Sequence, residues 1–215
     1  MFTDGSRMES GAAGYAVEWK NGLSWKGVKT HMGYNQEAFD AECVAIARAL
    51  ESASRRNTIP DRVTSVTDAQ AAIRRIASDE PGPGQRYALE AREHITALRR
   101  AMPGIVIEVR WCPAHEGVEG NEKADEWAKL AAEEPDARGV EGLEWLTYSD
   151  RPEACSMPLP RSIANIKRET AEKKWAEARK WAGGRTSKKK YKMPESQRPD
   201  GAVAKSTKRL TSRFY

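Results

Sequence analysis

Along the first 134 residues the hydrophobic period switches repeatedly between 2 and 3.6, and that alternation restricts the chain to a mixed α/β sheet. Tyr15, Val17 and Trp19 share one face of an alternating run, Asn21-Gly22 follows, and Leu23 and Trp25 come next. Asn-Gly between such runs predicts a hairpin in which both turn residues take positive φ. Residues 38–54 put Phe39, Cys43, Ile46, Ala47 and Leu50 on one helical stripe. Arg62–Thr67 reads as a short buried strand. Ala69, Ala72, Ile73, Ile76 and Ala77 give a second stripe, which Pro81-Gly-Pro-Gly84 interrupts. Ala88, Ala91, Ile95, Leu98 and Met102 make a third helix, and Ile105, Ile107, Val109 and Trp111 alternate as a strand. Residues 121–133 read as the last helix, with Asn121 as N-cap, Glu122 in its first turn and Ala124, Trp127, Ala128 and Ala131 inward. Phe2-Thr3 leads into Asp4, so a short opening strand is expected there, with a tight turn at Gly5-Ser6. The predicted order is β-β-β-α-β-α-α-β-α.

Charge divides the chain. Residues 1–134 hold 17 basic and 21 acidic side chains, residues 135–160 hold 2 and 5, and residues 161–215 hold 17 and 5. The whole-chain charge of +5 therefore hides an acidic domain joined to a strongly basic segment. This predicts a domain over 1–134, a Pro/Gly-punctuated linker over 135–160, and over 161–215 a basic helix (161–182, with Trp175 and Trp181) running into a tail of little core-forming content. Such asymmetry points to a polyanion, with a solvated tail as the plain alternative. No apolar run approaches the roughly 20 residues of a membrane span, so no membrane partner is expected. Three cysteines, Cys43, Cys112 and Cys155, argue for a reducing compartment. With the basic run Arg185–Lys192, they give an intracellular expectation, nuclear or cytoplasmic.

Four acids occupy unusual positions. Glu42 lies three residues after Phe39 and four before Ile46, on the apolar stripe of its helix, where an unpaired carboxylate is costly. Asp68 ends the strand Val63–Thr67, the position where ligands collect in α/β sheets. Asp4 precedes Gly5-Ser6, and Asp125 falls between Ala124 and Ala128 at the edge of an inward face. Each has an ordinary explanation: a helix cap for Asp68, a turn cap for Asp4, a first-turn dipole partner for Asp125, an ion pair with Arg74 for Glu42. If the four meet, like charges about 4 Å apart repel by roughly 4 kcal/mol at an effective dielectric of 20. Such a site requires a cation, and oxygen donors select Mg²⁺ or Mn²⁺. Two such ions suit phosphodiester hydrolysis. His115 lies in a Gly-containing loop ten residues before Asp125; imidazole is the side chain whose type suits proton transfer to a leaving group near neutral pH.

Taken together, Thr3-Asp4-Gly5-Ser6, Ala41-Glu42, Thr67-Asp68-Ala69-Gln70 and Pro113-Ala-His115-Glu-Gly117 followed by Gly120-Asn121-Glu122-Lys-Ala-Asp125 resemble type 1 ribonuclease H. The most similar version is the domain that follows the reverse transcriptase in fungal non-LTR retrotransposon polyproteins. The resemblance covers residues 1–134. It implies an RNase H-like α/β fold, with a five-stranded mixed sheet in order 3-2-1-4-5 flanked by helices. It implies Asp4, Glu42, Asp68 and Asp125 as ligands of two Mg²⁺ (or Mn²⁺) ions, and His115 as the loop histidine. Gln70 would contact the RNA 2′-hydroxyl, the Gly5-Ser6 backbone would approach the RNA, and Asn121 would orient the loop or cap. The implied reaction is endonucleolytic hydrolysis of the RNA strand of an RNA–DNA hybrid, told apart by its 2′-hydroxyls. The alternative is an inactive retroelement fragment that binds nucleic acid through its basic C-terminal segment.

Overall fold

In the computed structural model, residues 1–133 and 159–183 are described, together with the backbone of 211–214. The predicted linker, apart from its last two residues, lies outside them. So do Cys155, the run Arg185–Lys192 and most of the predicted tail.

Three antiparallel strands open the domain: β1 (Phe2–Arg7), β2 (Ala13–Asn21) and β3 (Ser24–Gly33). Helix α1 (Ala38–Ser54), β4 (Arg62–Thr67), α2 (Gln70–Ala77), α3 (Gln85–Ala101), β5 (Val106–Trp111) and α4 (Glu119–Glu133) follow. The last two elements are α5 (Ile163–Gly183) and β6 (Thr211–Phe214). The sheet order is β3-β2-β1-β4-β5-β6, with β1, β4 and β5 mutually parallel. The expected five-stranded order 3-2-1-4-5 is therefore present, and β6 extends it. That strand pairs antiparallel with β5, Ile107 opposite Phe214. The sequence predicts only a tail of little core-forming content, because four residues carry almost no periodic signal; the open edge of β5 supplies the backbone partners of β6.

The expected hairpin forms one residue late. Asn21 pairs with Ser24, so the two-residue loop is Gly22-Leu23. Among the described non-glycine residues only His115 has positive φ, and Gly22 takes +63°. This is the pattern with glycine at the first turn position, and it leaves Leu23 99% exposed. A second expectation also shifts: Gly5-Ser6 continues β1 rather than turning. The reversal comes at 8–12, closed by the Met8 N–H donating to the Ala12 carbonyl at 2.8 Å, with Gly11 at φ +94°.

The sheet is covered on both faces. One face carries α1, against which α3 packs, with Tyr15, Val17, Ile46, Leu50, Val63, Ile73, Ile76, Leu98 and Ile107 buried between. The other face carries α4 over β1, β2 and β3. Two glycines permit this closeness. A Cβ at Gly5 would lie 2.2 Å from the Glu42 backbone nitrogen, and one at Gly14 would lie 2.4 Å from that of Ala132. Gly5 thus brings the backbone of α1 directly onto β1, and residue 42 beside residue 4.

A polar strap holds the C-terminal helix. Asn35 Nδ2 donates to the Leu159 carbonyl at 2.7 Å and Gln36 Nε2 to that of Pro160 at 2.8 Å. Ser162 Oγ donates to Asp40 Oδ2 at 2.5 Å, and Asn165 Nδ2 to Glu37 Oε1 at 2.8 Å. The start of α5 is thereby fixed to the first turn of α1.

Candidate active site

Strands β1 and β4 separate just where the acids lie. Their only register pair is Phe2 with Val66. Thr3 Oγ1 adds a bond to the Val66 carbonyl at 3.2 Å. Beyond these residues no further β1–β4 pair forms, and Asp4 in β1 and Asp68 just past β4 lie there. Helix α1, seated on Gly5, brings in Glu42. One carboxylate oxygen from each of Asp4, Glu42 and Asp68 lies within 4.8 Å of the others.

The electrostatics follow from that crowding. Asp4 is 5% exposed, and its pKa is pushed up to about 7, chiefly by burial and then by the charges of Asp68 and Asp125. Glu42 is raised well above the ordinary range by burial, then by Asp4 and Asp68. The Gly5 backbone amide, next to both carboxylates, opposes the rise. Glu42 Oε2 is fully enclosed, with no hydrogen-bond partner among the described residues. The ordinary explanations fail here. Among the described residues Glu42 forms no ion pair, and Arg74 is exposed. Asp68 does not cap α2: Ala69 holds that position without a side-chain bond, and Thr67 Oγ1 accepts from the Ala69 N–H at 3.2 Å.

Asp125 stands beside the three, close enough to raise Asp4 and Glu42, but outside the 4.8 Å cluster. It lies in the second turn of α4, which begins at Glu119, so it is not the first-turn partner expected. Lys129 Nζ donates to Asp125 Oδ2 at 2.6 Å, an i,i+4 pair. That spacing was available in the sequence as a signal for Lys129.

The rest of the site is held by hydrogen bonds. Asn121 does not cap α4, since it lies in its first turn, 1% exposed. Its Nδ2 donates to Asp68 Oδ2 at 3.1 Å, and its Oδ1 accepts from Cys112 Sγ at 3.3 Å. Trp111 Nε1 donates to the Asp68 carbonyl at 3.0 Å. Sequence reasoning gave Trp111 and Cys112 no part here. The Gly117 N–H donates to Glu122 Oε1 at 3.0 Å, closing the loop that carries His115. His115 is exposed and left-handed, with φ +53°. Gln70 opens α2, half-buried, and its side chain makes no hydrogen bond among the described residues; Ser6 is half-buried in β1. Gly5 turns its Cα against α1, so its visible role is contact with that helix.

The donor set suits a hard cation: oxygen atoms only, crowded, with one enclosed oxygen lacking a partner. Asp4, Glu42 and Asp68 would hold such an ion.

The model of the RNase H family matches residues 1–133. No curated protein sequence matches the chain. Solved structures resemble it at low identity. The RNase H1 of the archaeon Halobacterium salinarum NRC-1 is 23% identical, with TM-score 0.47, over 61% of this chain and 95% of that one. LC11-RNase H1, isolated from compost and solved in complex with an RNA/DNA hybrid, is 20% identical with TM-score 0.46, over 61% and 94%. The foamy viral protease-reverse transcriptase, also in complex with RNA/DNA hybrid, is 18% identical with TM-score 0.44, over 61% of this chain and 19% of that one. On the match that spans the whole of the described sheet-and-helix unit up to the end of α4, the chain belongs to the ribonuclease H family and is a nuclease of that family.

Proposed function

We propose that the chain is an endoribonuclease that hydrolyses the RNA strand of RNA–DNA hybrids with two divalent ions, Mg²⁺ or Mn²⁺. The observation that carries this reading is the convergence of Asp4, Glu42 and Asp68 within 4.8 Å beside the β1–β4 junction, with Glu42 Oε2 enclosed and without a hydrogen-bond partner among the described residues. Asp125 completes the ligand set once Lys129 yields its carboxylate. Ions bound there would activate a water and neutralise charge on the leaving oxygen.

The chain's own groups do the remainder. Asn121 Nδ2 leaves Asp68 one oxygen free and fixes which way it faces. Gln70, with its amide unengaged, offers donor and acceptor to a ribose 2′-hydroxyl, the group that separates RNA from DNA. Ser6 and the β1 backbone at Gly5, next along the strand from Asp4, would approach the RNA strand. His115, on an exposed loop ahead of α4, carries a proton to the departing 3′-oxygen.

The domain division 1–134, 135–160 and 161–215 belongs to this reading, with the basic segment adding affinity for nucleic acid. A place in a retrotransposon polyprotein, after a reverse transcriptase and in nucleus or cytoplasm, rests on the motif resemblance. Among the described residues no helix is long and apolar enough to cross a membrane.

The test is cleavage of a labelled hybrid with Mg²⁺ by the chain and by Asp68→Asn. Loss of cleavage in the variant is expected. Cleavage that persists would defeat the assignment.

A further inference from the structure

The geometry points to helix α5 as a duplex-binding arm, anchored to the helix that carries Glu42 and contacting the phosphate backbone of the hybrid through Lys167, Lys174 and Trp175. This rests on the hybrid-cleaving reading and extends it to a second contact surface.

Anchoring is the first observation. Glu37 Oε1 accepts from both Asn165 Nδ2 and Arg168 Nε at 2.8 Å, and Arg7 Nε lies 3.4 Å from Glu37 Oε2. With Ser162 on Asp40 and the Asn35 and Gln36 bonds to residues 159 and 160, a dense polar network fixes the start of α5. Asp40 is two residues from Glu42, about 3 Å along the helix axis. An arm fixed there moves with the catalytic helix rather than independently of it.

Projection is the second. Asn165 is the only buried residue of α5, and every residue from 170 to 183 is exposed. A helix exposed along its final three turns gains little stability from burial there. Its 21 residues span about 32 Å, close to one turn of a duplex.

Sidedness is the third. At about 100° per residue, Lys167, Lys174 and Trp181 fall in one line, with Ala171, Ala178, Ala182 and Trp175 beside them, and Arg168 and Arg179 at the border. That sector, roughly 160° wide, contains no acid. Glu169, Glu172 and Glu177 all lie on the remaining arc, with Lys173 and Lys180. Neither Lys167 nor Lys174 joins an ion pair among the described residues. Trp175 is 52% exposed and Trp181 64%. A solvated helix without a partner would intersperse its charges; segregated cations around large exposed indoles match a polyanion that also offers flat apolar faces.

The experiment is hybrid binding by fluorescence anisotropy in Ca²⁺ across a salt series, with the full chain and with Lys167→Ala/Lys174→Ala/Trp175→Ala. All three positions are exposed, so the fold does not depend on them. At 0.1 M salt the variant is expected to bind about tenfold more weakly. Its plot of log affinity against log salt should be shallower by about 2, near 0.9 for each lost phosphate contact. Glu37→Gln, which loosens the anchor, should weaken binding at least about threefold, since an arm held less rigidly orders at greater entropic cost. Unchanged affinity, or weaker binding with an unchanged slope, in the triple variant overturns the proposal, and the face then belongs to a protein partner. Unchanged affinity in Glu37→Gln overturns the anchoring. Mg²⁺-dependent cleavage by the unsubstituted chain reports on the functional reading separately: hybrid bound but never cut refutes that reading and leaves the arm standing.

Discussion

Asn121 Nδ2 donates to Asp68 Oδ2 at 3.1 Å, tying the first turn of α4 to the end of β4 across 53 residues of sequence. The same side chain accepts from Cys112 Sγ, so a single buried amide orients a carboxylate, a strand end and a helix start. Asn121→Ala leaves Asp68 without that donor and opens a buried gap. We expect destabilisation of about 1–3 kcal/mol, read as a lower Tm, because a buried hydrogen-bonding group loses its partner. Hybrid cleavage should fall by at least about tenfold. Asn121→Asp should be worse, since it sets a second charge against Asp68.

The crowding of Asp4, Glu42 and Asp68 costs stability until a cation arrives. Asp4→Asn removes one charge from a buried cluster, so the metal-free variant should melt higher, by about 3–6 °C for a gain of 1–2 kcal/mol. It should also lose hybrid cleavage. Mg²⁺ at 100 times its Kd should stabilise the unsubstituted chain by about 2.7 kcal/mol, and Asp4→Asn far less. Thermal melts with and without Mg²⁺ check both halves. A lower Tm in the metal-free variant would show that Asp4 is held by favourable bonds rather than strained by its neighbours.

His115 stands apart from that cluster on an exposed loop, so it should move protons without holding metal. His115→Ala should lower turnover roughly 10²-fold, a usual contribution of a positioned proton carrier, and leave the Mg²⁺-induced Tm shift intact. His115→Asn is the control for backbone: asparagine tolerates the left-handed φ of +53° but carries no proton at neutral pH. Equal loss in both variants supports proton transfer. Activity retained in the asparagine variant would assign the residue a conformational role instead.

How much of this was legible in the sequence depended on what left a periodic trace. Helix α1 occupies 38–54 as its stripe of Phe39, Cys43, Ile46 and Leu50 indicates, and Glu42 was visible because a carboxylate interrupts that stripe. Asp68 was visible because it ends a strand. Period measures one-sided burial, so it is blind to contacts made by hydrogen bonds between distant segments. The strap from Asn35–Asp40 to 159–168 left no trace, because asparagine, serine and glutamate read as surface wherever they fall. The sequence predicts a turn at Gly5, and the residue's actual reason, the backbone of α1 pressed against it, exists only in three dimensions. Glu18 alternates with Val17 and Trp19 and so belongs on a face that looks solvent-exposed, until α4 covers it.

That buried Glu18 should set a pH dependence. It is 1% exposed, and neither carboxylate oxygen has a hydrogen-bond partner among the described residues. Burial pushes its pKa up to about 7, with Lys123 opposing and Glu126 adding to the rise, both from α4. A carboxyl whose folded pKa exceeds its unfolded value near 4.5 binds its proton more tightly in the fold. Its contribution is complete below pH 4.5, is lost as pH rises to about 7, and is level above that. The change is on the order of 3 kcal/mol. Glu18→Gln keeps the shape without the charge, so it should melt above the unsubstituted chain at pH 8 and converge with it near pH 4.5. Parallel melting curves across that range would show that Glu18 is ionised and compensated in the fold.

Gly5 gives the sharpest steric prediction. A methyl group there would sit 2.2 Å from the Glu42 nitrogen and 2.3 Å from the Ala41 carbonyl carbon, both backbone atoms of a helix that cannot yield locally. Gly5→Ala must push α1 off β1, at a cost of about 3 kcal/mol or more, the upper end of overpacking effects. It also moves Glu42 away from Asp4, so metal affinity should fall even at temperatures where the variant stays folded. Gly14→Ala meets the Ala132 nitrogen at 2.4 Å and should destabilise comparably. It acts on α4 near its C-terminal end, seven residues past Asp125, so its effect on metal affinity should be smaller. Calorimetric Mg²⁺ titration of both variants below their melting range separates the two. Equal loss of metal affinity in both would mean that the site senses general loosening of the sheet rather than the seating of α1 on Gly5.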